Sequence, residues 1–121
     1  MRNLLRLEEL ALVGLSVLWF SQSGFAWWWF PLLLLAPDLS MIGYLAGPAV
    51  GAASYNFVHH KALAVAAYLA GLFYGQPVLL LAGAILVGHS SLDRVVGYGL
   101  KYADSFQHTH LGTIGRRPAE P

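Results

Sequence analysis

Four ionisable side chains, Asp38, His59, His89 and Asp93, lie inside stretches apolar enough to cross a lipid bilayer. An ionisable group at membrane depth costs of order 2.5–3.5 kcal/mol on insertion scales, and such groups usually face a bundle interior where they have a task. The chain must therefore fold so that apolar helices surround a shared polar interior. Composition agrees: of 121 residues, 57% are hydrophobic and 11% charged, against about 25% charged in a soluble domain. At about 20 residues per spanning helix, four spans use up most of the chain and leave room for one domain only. A net charge of +1 without a basic stripe excludes a nucleic-acid binder. The absence of cysteine excludes disulfides, thiolate metal ligands and cysteine nucleophiles.

The expected fold is all-α: a polytopic membrane protein, a four-helix transmembrane bundle with a kinked second helix. The spans fall at about 7–20, 25–46, 49–74 and 78–98, followed by a cytoplasmic tail over 99–121. Arg2 and Arg6 before an apolar run have the look of a signal peptide, but Glu8, Glu9 and the poor cleavage site around Ser21–Phe25 favour an uncleaved first span. Pro31 and Pro37 remove backbone donors and should bend the second span, with freed carbonyls facing protein or water. A different cut makes 30–36 a re-entrant piece and 39–46 a separate helix. Gly47-Pro48 and Gly75-Gln76-Pro77 punctuate the later boundaries. Arg2 and Arg6 lie before the first span, and Arg94, Lys101, Arg116 and Arg117 at or beyond the end of the last. The loops between carry no basic residue, so both termini should be cytoplasmic. Trp27, Trp28 and Trp29 then fit an outer aromatic belt, and Tyr98 and Tyr102 an inner one.

At ~1.5 Å per helical residue, Asp38 lies roughly 20 Å and His89 roughly 17 Å from the outer surface, and His59 roughly 15 Å from the inner one. In a core ~30 Å thick, three spans thus deliver carboxylate and imidazole to one level. Asp93 follows His89 by one turn, and Tyr55 precedes His59 by one turn, so each pair shares a helix face. Asn56 lies close to that face. A histidine and a carboxylate four apart can supply two metal ligands, or one ligand and the group that orients it. The expected metal set is Asp38, His59, His89, Asp93 and His110, with Tyr55, Asn56 and Arg94 in support. Oxygen and nitrogen donors without sulfur suit zinc, iron or manganese.

Each residue also has a plainer reading. His89 and Asp93, joined to Arg94, can be a structural ion pair, and Asp38 can accept hydrogen bonds from amides freed at the proline kink. Glu8 can pair with Arg6, Arg94 or Lys101 at the inner surface. His60 points about 100° away from His59 on a helix. The spacing Gly43-x-x-x-Gly47-x-x-x-Gly51 resembles a helix-contact motif that Pro48 interrupts. The tail segment Ser105–Gly112, with its His-x-His pair, can fold back over the bundle or stay solvated.

Several strings carry a resemblance. They are Leu4-Leu5-Arg6-Leu7-Glu8, Ala36-Pro37-Asp38-Leu39-Ser40-Met41-Ile42-Gly43-Tyr44 and Tyr55-Asn56-Phe57-Val58-His59, then Asp93-Arg94-Val95-Val96-Gly97-Tyr98-Gly99-Leu100-Lys101-Tyr102 and Thr109-His110-Leu111-Gly112. Over nearly the whole length the chain resembles the DUF4260 family of small bacterial integral membrane proteins. The resemblance implies topology, a bacterial cytoplasmic membrane location and motif positions, favouring His59 over His60, but no activity.

Two functions of different class remain. One is a membrane-embedded metal-dependent hydrolase acting on a lipid-like substrate, with a metal-bound water activated by its lowered pKa. The other is a non-enzymatic membrane subunit or scaffold whose polar cluster is structural, as a homo-oligomer or within a larger membrane complex. A third reading places haem b between His59 and His89, although two nearby carboxylates argue against so apolar a cofactor.

Overall fold

Proline and glycine set the joints of the chain, as seen in the computed structural model, which describes residues 1–101, 103 and 108–113. Helix α1 spans Arg2–Gln22, and the chain then turns through Gly24 at φ +80°. A short helix α2, Trp29–Leu33, leads into an eleven-residue 3-10 segment, Ala36–Ala46. Gly47, at φ +113°, reverses the chain into α3, Pro48–His59. Helix α4, Lys61–Tyr74, ends on left-handed Gly75, and α5, Pro77–Val96, begins with proline at its first position, where no amide partner is lost. Two two-residue strands, β1 (His108–Thr109) and β2 (Gly112–Thr113), form an antiparallel hairpin in the tail.

Helix α5 is the centre, packed along α1 on one side and α4 on the other, while α3 packs along the 3-10 segment. Close approach needs small residues. A Cβ on Gly83 would lie 2.7 Å from the Tyr68 Cβ and 2.8 Å from the Ala64 carbonyl oxygen, so α4 sits almost on the α5 backbone. Gly88 does the same towards Ser16 of α1. The apolar core is Phe20, Leu81, Ala84 and Ile85, flanked by Trp19, Trp29 and Phe30, and Trp19 stacks on Tyr68 at 4.0 Å. Between the 3-10 segment and α3, Gly43 lies against Ser54 and Gly51 against the Tyr44 ring. The spaced glycines are therefore contacts, and Gly47 between them is the hinge rather than a third contact.

The all-helical reading holds, apart from the small tail hairpin, but the helices differ from the four expected. The 25–46 stretch is not one kinked helix. Pro37 has no amide to donate, and the Asp38 amide bonds to the Leu35 carbonyl at 3.1 Å, a 3-10 pattern that leaves the Leu34 carbonyl free. The cut that separated 30–36 from 39–46 is nearer to what is seen. The 49–74 stretch is not one helix either: His60 is extended (φ −80°, ψ 125°), and its Nδ1 caps α4 by accepting from the Ala62 amide at 3.2 Å. Two stretches, Trp29–Ala46 and Pro77–Val96, are long and apolar enough to cross a membrane by length and composition. In the first only Pro37 is fully buried and most of the rest is half-buried or exposed, and large apolar side chains such as Leu39, Leu45 and Phe73 stand 77%, 88% and 83% exposed.

Candidate metal centre

The joint at Pro37 builds the first half of the site. The Leu34 carbonyl, released there, accepts a hydrogen bond from His89 Nδ1 at 2.5 Å. A carbonyl carries no proton, so the ring proton must be on Nδ1, and Nε2 of a neutral His89 presents a bare lone pair. His59, the last residue of α3, repeats the device: its Nδ1 donates to the Tyr55 carbonyl at 2.9 Å. Its ring also stacks on Tyr55 at 3.8 Å, which fixes its plane. Both rings are buried, at 3% exposure, and neither Nε2 has a hydrogen-bond partner.

Those two nitrogens face two carboxylates. His89 Nε2 lies 2.9 Å from Asp38 Oδ1 and 3.3 Å from Asp93 Oδ2; His59 Nε2 lies 3.6 Å and 3.5 Å from the same two oxygens. The four ligand atoms all stand within 4.8 Å of one another. Atoms held ~2.0–2.2 Å from a common zinc ion at tetrahedral angles would be about 3.3–3.6 Å apart. The observed histidine–carboxylate separations fall in or just below that range. A backbone carbonyl holding the far nitrogen of each histidine is the usual arrangement behind a metal ligand, because it fixes tautomer and ring orientation. The chemistry of the donor set fits a divalent ion: four acceptors converge, and a cation or shared protons must neutralise them.

Further groups surround the four. The Tyr55 hydroxyl donates at 3.1 Å to Asp93 Oδ2, the same oxygen that faces both histidines, and so helps to orient it. Asn56 does not enter the cluster but clamps the tail. Its Nδ2 donates to the Lys101 carbonyl and its Oδ1 accepts the Lys101 amide, each at 2.6 Å. This pair of hydrogen bonds between backbone and side chain lays Lys101 over Tyr55, with Nζ 4.5 Å from the ring centroid and the residue buried. Burial pushes the Lys101 ammonium below the usual lysine range, while Asp93 and then Asp38 pull it back up. Arg94 turns away towards Glu9, at 3.9 Å, and Glu9 also holds Lys61. The inner acidic partner is thus Glu9, not Glu8, and Arg94 does not join the His89–Asp93 pair as expected.

His110, expected as a fifth ligand, stands elsewhere. Its Nδ1 accepts the Leu100 amide at 2.7 Å while its own amide donates to the Leu100 carbonyl at 2.9 Å, and the ring is exposed. It secures the tail, which folds back as one of the two readings of Ser105–Gly112 anticipated; most of the rest of the tail lies outside the described residues. The haem reading fails on space. The two imidazole centroids are 4.8 Å apart, and the carboxylates occupy the ground beside both Nε2 atoms, leaving no room for a macrocycle.

Two contributors escaped the sequence. The Leu34 carbonyl orients His89, and only the proline three residues later hints that it is free. Lys101 brings a buried cation within the field of both carboxylates, and its one trace is its place in the Gly-Leu-Lys-Tyr string.

No curated protein and no solved structure matches the chain. A family model does match it, over residues 2–114, and the chain accordingly belongs to the DUF4260 family, described as a domain of unknown function.

Proposed function

We propose that this protein is a small integral membrane protein that holds a divalent metal ion between Asp38, His59, His89 and Asp93, and that it hydrolyses a lipid-like substrate there. One observation carries the reading: two histidines locked on backbone carbonyls aim bare, partnerless Nε2 atoms at two carboxylates within 4.8 Å. Bound there, the ion supplies a water acidic enough to act as a nucleophile at neutral pH. Zinc, iron and manganese all suit the donors, and the last two leave positions open beyond four protein ligands. With zinc, a carboxylate would have to yield a position. Asp38 is the one suited to it, its side chain 36% exposed against 21% for Asp93.

The exposed apolar side chains of the 29–46 stretch and of α4 support a bilayer as the surrounding medium. In that setting α1, the 25–46 stretch, α3 with α4, and α5 are the four crossings. The basic residues at both ends support a topology with both termini on the cytoplasmic side of a bacterial inner membrane. A homo-oligomer or a larger membrane complex is compatible with this arrangement.

Elemental analysis of detergent-purified protein tests the metal centre. The wild type should carry stoichiometric metal, and His59→Ala and His89→Ala should lose it. A second reading rests on the 2.9 Å separation of His89 Nε2 and Asp38, which is short enough for a shared proton. Equal, substoichiometric metal in all three proteins would establish that reading instead: a non-enzymatic subunit or scaffold whose polar network locks the helices.

A further inference from the structure

An apolar cleft of about 340 Å³ runs between α5 and the α2/3-10 joint, and its lining stops one residue short of Asp38 in the chain and one turn of α5 short of His89. Its floor on α5 includes Val78, Ala82 and Ile85, and its facing wall is Leu33, Ala36 and Pro37. The floor and the ligands share one face of one helix. Spacings of four, three, four and four residues lead from Val78 through Ala82, Ile85 and His89 to Asp93, all within about 80° of arc at ~100° per residue. From Val78 to His89 the rise is about 16 Å. The wall is as near in the chain, since Pro37 lines the cleft and the next residue, Asp38, belongs to the cluster. Leu33 and Ala36 bracket the Leu34 carbonyl that holds His89. An apolar cleft with an acceptor-rich cluster next to it along both of its walls matches a ligand with an apolar chain and a polar end.

We propose that this cleft holds the hydrocarbon chain of a single-chain amphiphile, with the polar end group of that amphiphile at the metal centre. The proposal rests on the metal-centre reading and adds the substrate class and the residues that select it. Ala82 is the specificity-determining position. It is small and half-buried, and it faces the cleft between Val78 and Ile85, so a bulky side chain there fills the path of a chain without touching any of the four ligands. The bilayer itself could also cover this face, but only a specific site distinguishes one chain, tethered by its head group, from bulk lipid.

The test uses cobalt(II)-loaded full-length protein in lipid nanodiscs, with the cobalt visible spectrum as readout. The probes are acetohydroxamic acid, a metal-binding head group without a chain, and dodecanohydroxamic acid at matched bilayer mole fraction. In the Ala82→Phe protein, dodecanohydroxamate should bind about tenfold or more weakly than in wild type, the scale of a blocked apolar site. Acetohydroxamate and cobalt stoichiometry should be unchanged. Leu86→Trp, which fills the cleft nearer the cluster, should repeat the result. Equal dodecanohydroxamate affinity in wild type and variants, with cobalt still bound, overturns the chain site and leaves the metal centre standing. Loss of acetohydroxamate binding in both variants also overturns it, because the cleft would then be part of the fold rather than a ligand site. No cobalt uptake by the wild type overturns the metal-centre reading and the chain site together.

Discussion

Between Leu81 and Ile85, α5 is packed on both sides: Phe20, Phe30 and Trp29 close on one face, and the Tyr68 turn of α4 rides on Gly83. Eight residues after Leu81 the same helix presents His89, and then Asp93, to a space where four acceptors converge. In the first region every contact lowers the energy of the folded chain by itself. In the second the backbone spends a carbonyl, at Leu34, to hold a histidine in a position that is repulsive towards its neighbours unless a cation or a shared proton lies between them. Helices that wanted only to adhere would not be arranged this way, because apolar residues of equal volume are as stable or more so than buried ionic groups. The packed half supports the fold, and the polar half stores an electrostatic demand that a bound cation or shared protons would satisfy.

The largest expected effect would break this contrast if it failed. Metal bound to the folded chain alone stabilises it by about 2.7 kcal/mol at a free concentration one hundred times the Kd, and by about 4.1 kcal/mol at one thousand times. Stripping metal with a chelator should therefore lower the thermal midpoint of the wild type by several degrees. His89→Ala should show no chelator effect. Thermal scans in detergent, with and without chelator, decide the matter, and an equal chelator shift in both proteins would mean that metal acts somewhere other than this cluster.

The packed half should respond in the opposite way. Gly83→Val drives a side chain into Tyr68 and the Ala64 carbonyl, at contact distances that only backbone movement can relieve. Overpacking of this kind costs about 1–3 kcal/mol. The midpoint should fall while the metal content per folded chain stays at the wild-type value. A coupled loss of metal would show that the two regions are one cooperative unit rather than two.

How far the sequence reveals these regions follows from which interactions are local. His89–Asp93 and Tyr55–His59 are one-turn pairs within a helix, so their shared faces can be read from spacing alone, and both are found in contact. The meeting of Asp38, His59 and His89 follows in the sequence from depths along three spans, each read as one helix and the second as kinked. The residues do meet, but by a different route, because His59 ends a helix rather than lying within one and Asp38 sits on a 3-10 segment. A proline marks where a helix is disturbed; it does not say whether the chain kinks, tightens or breaks. At Pro37 it tightens, since the Asp38 amide finds Leu35. At His60 the chain breaks with no proline at all, and an imidazole that caps the next helix is the only trace. The Asn56 clamp joins residues 45 apart, and no local pattern encodes it. Misplacing His110 has the same origin: a histidine beside a motif resembles a ligand until its partner, here the Leu100 amide, is known.

The smallest effect concerns that histidine and sharpens the boundary between the site and the strap that covers it. Partial desolvation of a ring that stays largely exposed, and next the nearby Arg94 charge, hold the His110 imidazole below the ordinary histidine pKa of ~6.5. Its Nδ1 can accept the Leu100 amide only while unprotonated. With a folded pKa below the unfolded one, the unfolded chain binds more protons between the two values, so stability rises with pH through that window. The contribution is fully present above about pH 6.5 and is lost as pH falls through the lower folded value. The ring is exposed, so the change should be too small to move the global midpoint and should appear as local opening. Amide exchange at Leu100, corrected for the intrinsic pH dependence of exchange, should show protection falling between pH 7 and pH 5. His110→Ala should remove both the protection and its pH dependence. Protection that stays flat over that interval in the wild type would mean that the strap is held by Asn56 and the Lys101–Thr109 bridge, with His110 a bystander.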